Sequence, residues 1–133
     1  MKEKNKFLLF IPLIILSVCL TYSVPISKEV IPVKFYLSNK TGFDLTPGIL
    51  GFGAINPNQS ALRTIIIENR DDQKVNIIIK ASDEIIDNII VSENNFYLWA
   101  NESKTINLTI FTEGLKEFKE YNGKITILTK RAY

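Results

Sequence analysis

The feature that most constrains the fold is a series of short apolar runs, each closed by a polar turn. Residues 61–68 contain three consecutive β-branched residues, Ile65, Ile66 and Ile67, and stop at the polar stretch 69–72. Residues 74–82 alternate, with Val75, Ile77, Ile79 and Ala81 on one face and Asn76, Ile78 and Lys80 on the other. Branching at Cβ favours strands, and a period of two is typical of a half-buried strand. The sequence therefore predicts an all-β fold.

The remaining strands are predicted at regular spacing, with no convincing helix between them. They cover 33–37, 49–55, 89–91, 96–99, 104–112 and 121–130. About seven strands separated by turn residues are typical of an antiparallel β-sandwich. The isoleucine run predicts a central strand over 61–68, because both of its faces need cover. Inward positions predict the core: Ile66, Ile77, Ile79, Ile106, Leu108 and Ile125.

The first 24 residues differ from the rest of the chain. Residues 1–6 are basic, residues 7–20 are almost entirely apolar, and small residues stand near Ser23. This order is typical of a secretory signal peptide. Extended to Val24, the run also approaches the roughly 20 residues that a spanning helix needs. An N-terminal apolar helix is predicted, either a cleaved signal peptide or an uncleaved membrane anchor, and in both cases the body lies outside.

Domain organisation follows from these patterns. Residues 1–24 are the signal peptide or anchor, residues 25–47 are predicted to form a linker and an edge strand, and residues 48–133 form the sandwich. The linker is predicted over 26–32, where prolines and charges occur without periodicity. A chain of 133 residues is one domain by length.

The residue types present exclude most catalytic chemistry. The chain has no histidine, and its one cysteine, Cys19, lies in the apolar run. The commonest general base and metal ligand are therefore missing. The closest carboxylates are Asp71 and Asp72, which fit a turn, and a group at 83–87, which lacks the spacing of a calcium loop. We predict no enzyme activity, no cofactor and no metal site.

Net charge gives no reason to expect a nucleic-acid partner. The chain has 16 basic and 14 acidic residues, and the first six residues account for the whole excess. The remainder carries 13 of each sign. A neutral body offers no overall attraction to a polyanion, so none is predicted.

Four Asn-x-Ser/Thr sequons are the clearest chemical motif. Three lie in predicted loops, and the fourth points away from the inward face of its strand: the asparagines are Asn39, Asn58, Asn101 and Asn107. A glycan requires a surface position in an exported protein. We predict N-glycosylation at one or more of them.

Aromatic residues cluster over 96–99. Alternation sends Phe96 and Leu98 to one side of the strand and Tyr97 and Trp99 to the other. One pair is predicted to be core. The other is predicted to be covered by residues 113–120, and the alternative is an exposed patch, which would indicate a partner.

Several of these positions resemble a known family. Phe52-Gly53, Pro57, Ser60, Arg63-Thr64 and Asn69 are followed by Ile106, Leu108 and Tyr121-x-Gly123-x-Ile125-x-Ile127. Together they resemble the immunoglobulin-like domains of the abnormal-spindle, SPD-2 and hydin type, over residues 49–130. The resemblance implies an Ig-like β-sandwich and carries no family active site.

These observations favour a non-enzymatic structural or binding module, exported to the cell surface or the extracellular space. Its partner would be a protein or a glycan, and the membrane itself if the leader is uncleaved. The alternative is a membrane-tethered accessory or chaperone-like subunit of a pilus or secretion machine, which donates a strand.

Overall fold

Two β-sheets make up the body of the protein. The computed structural model describes Pro12 and residues 14–17, 25–43 and 47–132. The strands are β1 (Ser27–Leu37), β2 (Leu50–Ile55), β3 (Ser60–Glu68), β4 (Val75–Asp83), β5 (Ile89–Val91), β6 (Phe96–Leu98), β7 (Ser103–Phe111) and β8 (Glu120–Arg131). One sheet has the order β2-β1-β8-β4-β6 and the other β3-β7-β5. The all-β, sandwich-like prediction is confirmed, with one difference: β1 and β2 pair in parallel.

The core is built from alternate residues of the long strands. Apolar side chains from β1, β4, β7 and β8 are almost completely buried in one cluster. Burial of each such side chain contributes roughly 1.5–3 kcal/mol. Five of the six predicted core residues are confirmed in this cluster: Ile77, Ile79, Ile106, Leu108 and Ile125.

The prediction that Ile66 belongs to the core is wrong. Its side chain is 72% exposed, whereas Ile67 is buried and Ile65 partly buried. The strand that carries it, β3, is an edge of the three-stranded sheet rather than a central strand. In a run of adjacent isoleucines, the odd-numbered and the even-numbered positions are equally apolar. The sequence therefore does not show which set faces the core, and a shift of one residue exchanges the two faces.

β1 also differs from its prediction as a linker followed by an edge strand. It begins at Ser27 and lies between β2 and β8. β2 pairs with it only from Val33 onward, so in the described chain residues 27–32 have β8 as their one sheet neighbour. Pro32 is tolerated there because its missing N–H is not needed on the open side. The first half of β1 is held by backbone pairing with exposed side chains, and backbone pairing leaves no alternation in the sequence.

β2 has an irregular backbone at one of its glycines. Gly53 has φ of 73°, in the region that favours glycine. A Cβ there would collide with the carbonyl oxygen of Gly42. That oxygen accepts a hydrogen bond from the amide of Ala54 at 2.9 Å, so the glycine allows the preceding loop to lie against β2.

Most of the predicted N-terminal helix lies outside the described residues. Pro12 and residues 14–17 are helical, and Ile14, Ile15 and Leu16 are exposed. Across the described part of the chain, no helix combines the length and apolar character that crossing a membrane requires.

Candidate functional surfaces

β6 divides its side chains between the core and an exposed aromatic edge. Phe96 and Leu98 are buried, while Tyr97 is 57% and Trp99 65% exposed. The ammonium nitrogen of Lys74 lies 4.4 Å from the Tyr97 ring centroid and 4.5 Å from that of Trp99. Each distance is within the range of a cation–π contact. We call Lys74, Tyr97 and Trp99 the aromatic edge.

The prediction that residues 113–120 cover these rings is wrong. That segment leads into Glu120, the first residue of β8, whereas Tyr97 lies in the row of Asn76 and Lys130 near the far end of β8. Ten residues of extended strand separate the two positions, which is about 33 Å. The rings are therefore exposed, as the alternative expected.

A buried asparagine fixes the backbone beside Trp99. Asn69 is 3% exposed, and its Nδ2 donates to the carbonyl oxygens of Gln73 at 2.8 Å, Trp99 at 3.0 Å and Leu98 at 3.2 Å. The amide of Trp99 donates to Glu102 Oε2 at 2.7 Å. The indole is thus carried on a backbone bonded at both its N–H and its C=O. This role had no signal in the sequence beyond an asparagine at a strand end.

The four sequon asparagines are all exposed. Asn58 and Asn101 lie in turns with φ of 56° and 60°. Asn107 lies on the outer face of the three-stranded sheet, where its Oδ1 accepts a hydrogen bond from Thr64 Oγ1 at 3.0 Å. Asn39 follows β1 in a loop. Their glycosylation stays a prediction.

None of the carboxylates at 71–72 and 83–87 belongs to a cluster that could act as a metal site in the described part of the chain. Asp71, Asp72, Asp83 and Asp87 are exposed. In the described segments, no three histidine, cysteine or acidic residues come together as a metal site.

Glu84 joins the β4–β5 connection to the start of β8. Its carboxylate accepts from Lys119 Nζ at 2.7 Å and from the amide of Asn122 at 3.0 Å. These two hydrogen bonds, the lysine first, hold the pKa of Glu84 below its usual value against a smaller desolvation effect. The same pair raises the pKa of Lys119. The ammonium also lies 4.8 Å from the Tyr121 ring centroid.

A cleft of about 560 Å³ opens between β1, β8 and the edge strand β3. It is lined by the exposed Ile66 and by Glu68 and Arg70, which form an ion pair at 3.0 Å. Glu68 and Arg70 pair with each other, and Glu29 is the remaining charged residue of the lining, so the cleft does not present several converging charges that would fix a polar ligand.

Comparisons of the chain with protein-family models, curated proteins and solved structures found no match. The resemblance to abnormal-spindle domains therefore stays a prediction from the sequence. Function has to be argued from the exposed surfaces themselves.

Proposed function

We propose that the chain is a non-enzymatic Ig-like module of the cell surface that binds a partner through its aromatic edge. The observation that carries the proposal is Trp99, exposed by 65% although its backbone is fixed by the buried Asn69. Tyr97 is exposed beside it, and exposed apolar side chains that lie together mark interaction sites more often than single ones do. Tryptophan and tyrosine are also the residues that most often dominate binding energy.

Features of β8 support the Ig-like assignment. Tyr121 stands at the start of β8, and its hydroxyl donates to the carbonyl oxygen of Glu117 at 3.0 Å. A tyrosine at this corner, bonded to backbone a few residues upstream, is a hallmark of Ig-like sandwiches. Its ring stacks on Phe35 with centroids 5.0 Å apart. The antiparallel pairs β3–β7 and β4–β8, in opposite sheets, match the central pairs of such a fold.

Export is tested by adding protease to intact cells. The body should be digested, and terminal sequencing of the native protein should show a start near Val24 if the leader is cleaved, or Met1 if it is an anchor. A cytoplasmic protein serves as the control for cell integrity. Protection of the body in intact cells, with digestion after lysis, would overturn the proposal.

Binding is tested with envelopes from cells that lack the gene. Labelled full-length protein should bind them saturably, and Trp99→Ala should reduce binding about tenfold or more, as expected for a central aromatic contact. Phe118→Ala is the matched control, because Phe118 is 58% exposed but lies outside the aromatic edge. Equal losses in both variants would show that the edge is not the binding surface.

A second candidate function is supported by the position of β1. Strand β1 fills the groove between β2 and β8. Its side chains Val33, Phe35 and Leu37 are each at most 2% exposed. Residues 38–49 connect it to β2, a length that can reach a neighbouring molecule when extended. A strand held in this way can be exchanged between copies, as in an accessory subunit of a surface assembly.

Strand exchange is tested with a cysteine pair across β1 and β8. Pro32 and Lys124 are direct cross-strand partners and both are exposed. In a Cys19→Ser background, Pro32→Cys with Lys124→Cys should give covalent oligomers on a non-reducing gel if β1 pairs with another copy. A single monomeric band with no free thiol would show that β1 stays in its own molecule.

A further inference from the structure

The outer face of the five-stranded sheet is strongly basic. Outward positions of β1, β4 and β8, with the residue just before β4, carry six lysines: Lys28, Lys34, Lys74, Lys80, Lys124 and Lys130. Among the described residues, Glu120 is the one carboxylate at an outward position of these strands. We call this surface the basic face.

The basic face changes the meaning of the neutral net charge. The chain beyond the first six residues has 13 charges of each sign, but they are not mixed evenly. Two acidic residues near this face already have partners: Glu84 pairs with Lys119, and Glu102 accepts from the Trp99 amide. Neighbouring like charges on one sheet face repel one another, and an anionic partner would relieve that repulsion.

Aromatic and apolar side chains accompany the lysines. Tyr97 and Trp99 border the face beside Lys74, and Tyr36 and Val30 lie exposed on it by 38% and 45%. Tyrosine and tryptophan prefer the membrane–water interface, because one part of each ring is apolar and another can form hydrogen bonds. Basic residues combined with such rings are typical of surfaces that bind anionic lipids.

The position of the face in the chain favours a membrane over a soluble polyanion. Lys28 is the second residue of β1 and follows closely on the apolar run 7–20. Lys130 and Tyr97 are both aligned with Asn76, and Lys28 is aligned with Leu128, two residues before Lys130 in β8. The basic and aromatic residues at this end of the sheet therefore lie where β1 begins, which is the end at which the chain arrives from the predicted membrane segment.

We infer that the basic face and the aromatic edge together dock on an anionic membrane surface, with the lysines at lipid phosphates and Trp99 at the interface. This inference rests on the proposed binding function and names its partner as negatively charged lipid headgroups. Each lysine near such a surface strengthens attachment about fivefold.

Trp99 is the only tryptophan in the chain, so its emission reports on the docking surface. The full chain is reconstituted into phosphatidylcholine vesicles and into vesicles rich in phosphatidylglycerol. Trp99 emission should shift to the blue and acrylamide quenching should fall only with the anionic lipid, and about 1 M salt should reverse both changes because it screens exposed charges. Identical emission in both vesicles would overturn the inference.

Charge-matched variants identify the surface responsible. Lys28→Glu with Lys130→Glu should lower the equilibrium constant for docking about 25-fold or more, as expected from two lysines at fivefold each. Lys40→Glu with Lys116→Glu makes the same change in net charge on exposed loops and should leave docking intact. Circular dichroism verifies that both pairs fold. Equal effects of the two pairs would show that overall charge, not this face, attracts the lipid, and would overturn the inference.

A soluble polyanion provides the remaining comparison. If polyphosphate shifts Trp99 emission while phosphatidylglycerol vesicles do not, the face binds an acidic polymer, and the membrane assignment is wrong. If Trp99 emission does not respond to vesicles, membrane docking fails but the protease test of export still stands. If the body is protected from protease, export fails but the vesicle measurement still stands. The two failures are therefore distinguishable.

Discussion

Asn69→Ala is the most informative single substitution, because it removes the side chain that holds the backbone at Trp99. The amide nitrogen donates to three carbonyl oxygens, and Oδ1 accepts from the Asp71 amide at 3.0 Å. The hydrogen bond to the Leu98 carbonyl is buried, so that oxygen has no access to water as a replacement. The variant therefore loses hydrogen bonds without relief from solvent.

The expected loss in free energy of unfolding follows from the number of hydrogen bonds removed. The two amide hydrogens and Oδ1 account for about three net hydrogen bonds at roughly 0.5–1.5 kcal/mol each, or about 1.5–4.5 kcal/mol before the cost of the orphaned carbonyl is added. In a folded body of about 100 residues, this corresponds to a fall in Tm of roughly 10–25 °C.

The assay is thermal unfolding, followed by circular dichroism and by Trp99 fluorescence. Asn39→Ala is the control, since the same atoms are removed from an exposed loop residue and such changes stay within about 0.5 kcal/mol. Trp99 quenching should also rise in the Asn69 variant below its Tm, because its backbone is no longer fixed. A fall in Tm of less than about 3 °C would refute the role that we assign to Asn69.

Three further predictions test the register, the β2 glycine and the ion pair. Ile77→Asp should unfold the protein, because Ile77 is 2% exposed and a buried unpaired carboxylate costs several kcal/mol. Ile66→Asp, at a position 72% exposed, should change Tm little. If Ile66→Asp lowered Tm more than Ile77→Asp, the register assigned to these strands would be wrong by one residue. Gly53→Ala should lower Tm, measured by calorimetry, because of its positive φ and the blocked Cβ position; an unchanged Tm would contradict this. Because the pKa of Glu84 is lowered, its contribution to stability is present above pH 4.5 and is lost as pH falls through the lowered pKa. The Tm difference between wild type and Glu84→Gln should therefore shrink in acid and persist up to the raised pKa of Lys119; a difference that is constant from neutral pH into acid would contradict the assignment.

The sequence predicted the registers of β4, β7 and β8 correctly because each has apolar residues at every second position. It failed at β3, where adjacent isoleucines hide which face is inward. It also failed at the start of β1, where pairing uses the backbone alone. Sequence patterns report burial of side chains. In β3 that pattern does not distinguish the two faces, and at the start of β1 most side chains are exposed.

The basic face was missed for a different reason. Net charge is a sum over the whole surface and does not record which charges share a side. A signal was nevertheless present: Lys28 and Lys34, Lys74 and Lys80, and Lys124 and Lys130 are each six residues apart. An even separation in a strand puts both residues on one face. Which strands lie side by side, however, depends on the sheet order, and that requires the structure.

The pairing of β1 with β8 has a consequence for the order of events during synthesis. Ten successive residues of β1, from Ser27 to Tyr36, are matched with residues of the last strand. Contacts between the two ends of a chain are slow to form, because the intervening loop must close first. On the ribosome, the first strand to emerge cannot find its main partner until the last strand has emerged. The sandwich can therefore be completed only after β8 has left the ribosome. In a nascent chain stopped before residue 120, β2 is the one neighbour that β1 can reach, because β8 is missing.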